Sequence, residues 1–194
     1  MLSGDESLLD VANTALASIG AKPIASFDED SKGAEACRLL LKRCVERAQS
    51  AAEWHELKKT VELVPTGREG YFGVEYNAPA DCLKIIKGFV GDPENEELLW
   101  EQEGKTLRFQ ARNVKLRYIR RSDNPSEWSV HLRGLATEIL AAEIVGAVTG
   151  EWSARYRLLE VIHNFTLPSA IAENSKKNPA GNFYRKPKKS YFEG

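Results

Sequence analysis

Cysteine is scarce in this chain: three residues in 194, an odd number. That count fits a reducing compartment and excludes a disulfide scaffold as the source of stability. Cys37 and Cys44 lie seven apart on an expected helix, so about 10 Å separates them along its axis and they cannot bond to each other. Both read as small buried residues. No apolar run approaches the ~18 residues of a membrane span, and no basic segment followed by an apolar stretch opens the sequence. The expected product is soluble, made in the cytoplasm without an export signal, and has no membrane partner. His55, His131 and His163 match no zinc spacing. Gly67, Gly70 and Gly73 follow no phosphate-cradling fingerprint, and no serine nucleophile elbow is present. Glu53, His55 and Glu56 crowd the end of a helix and could serve acid–base chemistry, but a solvated helix end explains them more simply. The sequence therefore reads as a non-enzyme with no catalytic residue, metal or cofactor.

What is present is enough apolar residue for one globular core, 42% of the chain, and an uneven distribution of charge under a formal net of −1. Residues 1 to 35 hold seven acidic side chains against Lys22 and Lys32, net −5. Residues 173 to 194 hold six basic side chains against Glu173 and Glu193, net +4. One end is acidic and the other basic, an arrangement suited to head-to-tail contact between copies or to two different partners. The basic end also carries Phe183, Tyr184, Tyr191 and Phe192, while Pro179, Gly181 and Pro187 forbid a continuous helix. Aromatics among cations suit docking on a partner surface, with Arg185 beside the first pair. The segment contributes no seam residue to a helix, so removing Asn174 to Gly194 is expected to leave the fold intact.

Periodicity predicts four helices. Ser3 with Glu6 forms a possible capping box for a first helix carrying Leu9, Ala12, Leu16 and Ile19, stopped by Gly20. A second begins near Ser31, turns Cys37, Leu40, Cys44, Ala48 and Ala51 to one face, and ends around Trp54. After the cap chemistry of Asp123, Asn124 and Pro125, the residues Trp128, Leu132, Leu135, Ile139 and Ala142 follow a bundle seam until Gly150. A last helix from Trp152 turns Leu158, Ile162 and Phe165 inward, and Pro168 must break or kink it. Between the helix pairs, Thr60 to Val64, Leu83 to Val90, Leu98 to Glu101, Thr106 to Phe109 and Val114 to Arg121 are β-leaning runs separated by turn chemistry, with Glu103-Gly104 as a hairpin turn. The expectation is a mainly α (α+β) domain over 1–172: a four-helix bundle of residues 1–55 and 122–172, a small antiparallel insertion over 56–121, and an extended docking tail over 173–194.

Two features inside the insertion bear on partners. Tyr71 and Phe72, set among Gly67, Gly70 and Gly73, read either as aromatics of a mobile loop seeking a partner or as a cover for the small sheet. Arg108, Arg112, Arg117, Arg120 and Arg121 gather around the last strand, as a solvated face or as a weak nucleic-acid surface. A sequence pI near 6.4 weighs against duplex binding as the main role.

The run Asn13-Thr14-Ala15-Leu16-Ala17-Ser18-Ile19-Gly20, followed by Lys22-Pro23-Ile24 and an acidic loop, resembles tail tubular protein A, the head-to-tail adaptor family of short-tailed bacteriophages. The likeness continues through Tyr76-Asn77-Ala78-Pro79-Ala80-Asp81-Cys82-Leu83, then Leu116-Arg117-Tyr118-Ile119-Arg120-Arg121, Asp123, Trp128 and the long helix Leu135 to Val148. It rests on order and spacing over about four fifths of the chain rather than on any catalytic motif. The resemblance implies a structural virion component, made in the host cytoplasm, that forms a ring, dodecameric in the family, between the portal protein and the tail nozzle. Genomic DNA would pass through the lumen of that ring without sequence preference. The partner contacts expected are Phe183, Tyr184, Arg185, Tyr191 and Phe192 toward the portal, and Tyr71 and Phe72 toward the nozzle or a neighbouring copy. The other classes open to the sequence are a DNA-binding accessory protein and a tail-associated cell-wall hydrolase.

Overall fold

The computed structural model of the chain describes residues 7–92 and 97–176. Helix α1 (Leu8–Ser18) starts at Ser7, whose hydroxyl accepts from the Asp10 N–H while the Asp10 carboxylate takes the Ser7 N–H at 2.8 Å. This is a capping box one turn later than Ser3 and Glu6, which lie outside the described residues. Ser31 caps α2 (Lys32–Ser50) through Ala34 N–H. Its inward face is Cys37, Leu41, Cys44, Val45 and Ala48. A short 3₁₀ turn at Pro125–Glu127 precedes α3 (Val130–Thr149), which is capped by Ser129 rather than by Asn124. The last helical stretch is continuous but changes pitch: α4 (Trp152–Val161), a π-helical segment (Ile162–Thr166), then α5 (Leu167–Lys176).

Pro168 explains the change of pitch. A proline ring presses on the carbonyl four residues earlier and donates no hydrogen bond, and a wider turn just before it relieves both problems. The Leu167 N–H accordingly reaches back to Ile162 O, five residues away. The wider turn also shifts the inward face, which runs Ala154, Leu158, Ile162, Thr166, Ala170 and Asn174 in steps of four. Phe165 is thereby turned outward and is exposed, against its expected inward place. Helix α5 runs past residue 172 and buries Asn174, so the expected docking tail starts with four helical residues. Residues 177–194 lie outside the described residues.

The segment 58–120 forms seven strands in two antiparallel sheets. One has the order β1 (Lys58–Glu62), β7 (Lys115–Arg120), β4 (Cys82–Phe89). The other has the order β2 (Pro65–Gly70), β3 (Gly73–Asn77), β6 (Thr106–Phe109), β5 (Trp100–Glu103). The β5–β6 hairpin is closed by Gly104 and Lys105, one residue later than expected. Strands β2 and β3 occupy the stretch expected to be a glycine-rich loop.

A four-helix bundle is not what this architecture is. Helix α3 buries far more than the seam expected of it: Ala136, Leu140, Ala141, Ile144 and Val145 are buried beside Leu132, Leu135, Ile139 and Ala142. It is a central helix packed by α1, α2, α4 and α5, whereas a bundle helix would expose one side. The three-stranded sheet is a layer of the same body. Ile119 of β7 and Ile86 of β4 join the helical core, while Leu116, Tyr118, Cys82 and Ile85 face a second cluster with Tyr76, Leu107 and Phe109 of the other sheet. The alternation of β7, and of β4 across its two bulges, thus serves two cores at once.

Side-chain amides join parts of the chain that are distant in sequence. Asn13 holds both backbone groups of Ile24, accepting its N–H at 2.8 Å and donating to its carbonyl at 3.0 Å. Gln49, fully buried, donates to Ser122 O at 2.6 Å and accepts the Ser122 N–H. Asn174 donates to Glu53 O and accepts the His55 N–H. Among the described helices none is long and apolar enough to cross a membrane.

Candidate interaction surfaces

Strand β2 lies at the edge of its sheet and is exposed along its whole length, while β3 is an inner strand paired with β6 from Val74 to Asn77. The flanks of the β2–β3 hairpin are tied by the Arg112–Glu69 ion pair and by Thr66 with Glu75 at 3.3 Å. The tip is Tyr71 and Phe72, between the paired Gly70 and Gly73. Gly73 has φ 139°, and a Cβ there would run into the backbone of Phe109, so only glycine closes this turn without strain. The result is a stiffly held tip on which Tyr71 is fully exposed and Phe72 half-buried. Tyr71 therefore does not cover the sheet. Phe183, Tyr184, Arg185, Tyr191 and Phe192, the other expected contact residues, lie outside the described residues.

Two surfaces went unnoticed in the sequence. Trp152 and Tyr156, four apart on α4, are exposed, and the inner face of the Trp152 ring rests on α3 at Gly146, where a Cβ would overlap it. Beside them Arg155 grips Glu143 with two donors, at 2.9 to 3.1 Å, and Arg47 reaches the same carboxylate at 3.2 Å, linking α2, α3 and α4. An i, i+4 aromatic pair next to arginine was the available signal. The second surface is a groove of about 470 Å³ between the start of α1, the acidic loop and α2. Leu8, Phe27, Leu41 and Val45 form its floor, and Asp28, Arg38, Lys42 and Asp123 its rim.

The arginines around the last strand are largely neutralised within the chain. Arg108 is ringed by Glu103 at 3.0 Å, Glu101 at 3.4 Å and Glu75 at 3.8 Å. Arg112 pairs with Glu69, Arg120 with Glu127 and Arg121 with Glu46, and the Arg117 guanidinium lies over the Phe89 ring, 5.8 Å from its centroid. The residues considered for acid–base chemistry hold the fold. Glu53 pairs with Lys58 at 3.2 Å, the His55 N–H is taken by Asn174, and Glu56 accepts the Ser129 N–H at 2.8 Å. Among the described residues no three of His, Cys, Asp and Glu gather as metal ligands.

Asp81 sits where β4 begins. It accepts from Tyr118 Oη at 2.8 Å and from Lys59 Nζ at 2.9 Å, and its carbonyl takes the Arg121 N–H at 2.7 Å. Burial pushes this carboxyl up, but the hydrogen bonds from Lys59 and Tyr118 and the lysine charge outweigh it and hold it below the usual carboxylate range. Burial, then the bond to Asp81, pushes the Tyr118 phenol up. Burial also raises the thiols, Cys37 to about 11, Cys44 to about 12 and Cys82 to about 11, so all three are poor nucleophiles near neutrality.

No curated protein matches the chain in sequence. A family model described as Tail tubular protein matches residues 9–122, from α1 to the end of β7. The chain belongs to that family, whose members are structural proteins of bacteriophage tails.

Proposed function

We propose that this member of the tail tubular family is a head-to-tail adaptor: a ring component, dodecameric when assembled, seated between the portal protein of a DNA-filled capsid and the tail nozzle. The observation that carries the reading is the fully exposed Tyr71 at the β2–β3 turn, held in place by Gly73 against Phe109 and by the Arg112–Glu69 ion pair. The helical layer and three-stranded sheet would form the ring wall, and the hairpin would reach a neighbouring protein. Phe183, Tyr184, Arg185, Tyr191 and Phe192 would be the contacts to the portal, with aromatics supplying buried area and cations speeding encounter. Repetition around a ring lets modest contacts sum to a firm joint. The chain would be made in the host cytoplasm, and DNA would meet it only in passing through the lumen. The paired arginines speak against a DNA-binding accessory protein.

Purified chain mixed with tail-less, DNA-filled capsids tests this directly. Co-sedimentation with filled capsids, and a twelve-fold collar under the portal by electron microscopy, are expected. Failure to bind capsids at micromolar concentration, with the chain binding finished tails instead, would overturn the adaptor reading and leave the family assignment standing.

A further inference from the structure

We infer that the groove floored by Leu8, Phe27, Leu41 and Val45 receives the β2–β3 hairpin tip, Tyr71 and Phe72, of a second copy of this chain. The inference rests on the ring reading above and names the contact that would build it.

The rim shows that the groove is made to meet something. Asp28, Arg38, Lys42 and Asp123 line it and make no ion pair among the described residues, in a chain where four of the five arginines around β7 are matched to carboxylates. Four unmatched charges of both signs around an apolar floor resemble half of an interface, with a dry centre and a polar rim. The hairpin tip supplies the other half. Tyr71 is fully exposed, Phe72 lies beside it, and Arg68 makes no side-chain ion pair among the described residues. Arg68 would answer Asp28 or Asp123, and Glu69, already shared with Arg112, would face Arg38 or Lys42. A groove of about 470 Å³ is large enough for one aromatic side chain and part of a second.

Knob and groove are different surfaces of one molecule, so the contact is head-to-tail: each copy gives a tip to one neighbour and a groove to the other. Two aromatics bury on the order of 150–250 Å² each. That is well below the roughly 1,000 Å² of a lasting interface, so the pair is short-lived in solution and gains strength when a partner lines copies up in a ring.

Two full-length single variants, Tyr71→Cys and Lys42→Cys, are mixed at pH 8 with copper-phenanthroline as oxidant. The native thiols are quiet there, so a disulfide between the variants reports tip-in-groove contact. A mixed dimer forming at least about tenfold faster than one between Tyr71→Cys and the exposed control Ser153→Cys is expected, and Phe27→Ser in the groove partner should remove the excess. Equal rates with both partners would overturn the inference, as would a groove closed by another segment of the same chain, which gives no mixed dimer. Attachment of the wild-type chain to capsids is scored separately. Attachment without preferential cross-linking sinks the tip-in-groove contact alone; cross-linking without attachment by wild type sinks the adaptor reading alone.

Discussion

The residues that decide this fold are polar as often as apolar. Asn13, Gln49 and Asn174 each hold backbone groups from a distant part of the chain, and removing such a side chain strands buried donors and acceptors. Gln49→Leu keeps the approximate shape and leaves Ser122 N–H and C=O without partners. It should cost about 1–3 kcal/mol, read as a lowered urea midpoint with an unchanged slope. A loss under ~0.5 kcal/mol would mean that water takes over both groups. Asp81 makes the fold pH-dependent from both sides. Its carboxyl titrates lower in the folded chain than the ~3.9 of an unfolded one, so its contribution is complete above that value and is lost as the pH falls through the folded one. Tyr118 is shifted upward, so its contribution is complete below ~10 and is lost at higher pH. Asp81→Asn should therefore narrow its stability gap to wild type as the pH drops from 6 to 3, measured by urea melts at each pH. A gap that stays constant over that range would assign the stabilisation to shape rather than charge. None of these partnerships could be read from sequence, because each joins a side chain to groups 11 to 121 residues away.

Among the elements, the helices and five of the seven strands were legible because each carries a period that its burial requires. β6 lies at its expected residues and β1, β4, β5 and β7 within two. Strands β2 and β3 were not legible: β2 buries none of its residues, so it has no apolar alternation to show, and its glycines read as a loop. The same reasoning explains the bundle error. The seam residues Leu132, Leu135, Ile139 and Ala142 on α3 are a true signal, but Ala136, Leu140, Ala141, Ile144 and Val145 are buried as well, so the helix is apolar on nearly every side and one stripe understates it. The π-helical segment misled the reading of Phe165 for a mechanical reason, since one wide turn rotates everything after it. That rotation places Asn174 against Glu53 and His55, and it moves the point at which the chain can be cut. A chain ending at Lys176 should melt within about 1 kcal/mol of the full one. A chain ending at Glu173 should lose a further ~1–3 kcal/mol through the stranded Glu53 C=O and His55 N–H. Thermal midpoints of the two truncations separate these outcomes, and equal midpoints would remove Asn174 from the fold. On α3, Gly146→Val should expel the Trp152 ring from its seat, seen as a red shift of tryptophan emission, and cost about 1–3 kcal/mol by overpacking.

The described residues build three layers, helices, three strands and four strands, with two apolar cores, and charge is unevenly distributed along the sequence. Because four of the five arginines around β7 are already matched to carboxylates, DNA binding by the isolated chain should be undetectable near physiological salt and should show no sequence preference at low salt. Fluorescence anisotropy across a salt series checks this, and nanomolar binding that survives 150 mM salt would restore the accessory-protein reading. Self-association should likewise be weak without a partner, leaving a monomer or small oligomer by light scattering at micromolar concentration; a complete ring under those conditions would contradict the short-lived contact inferred above. The layered build also sets how the molecule carries tension. β7 is bonded on both sides, to β1 and to β4, and its alternate side chains are anchored in different cores. Antiparallel hydrogen bonds lie across the strand direction, so a pull along β7 loads many of them together instead of one after another. Stretched along that axis the subunit would behave as a stiff strut, yielding late and abruptly.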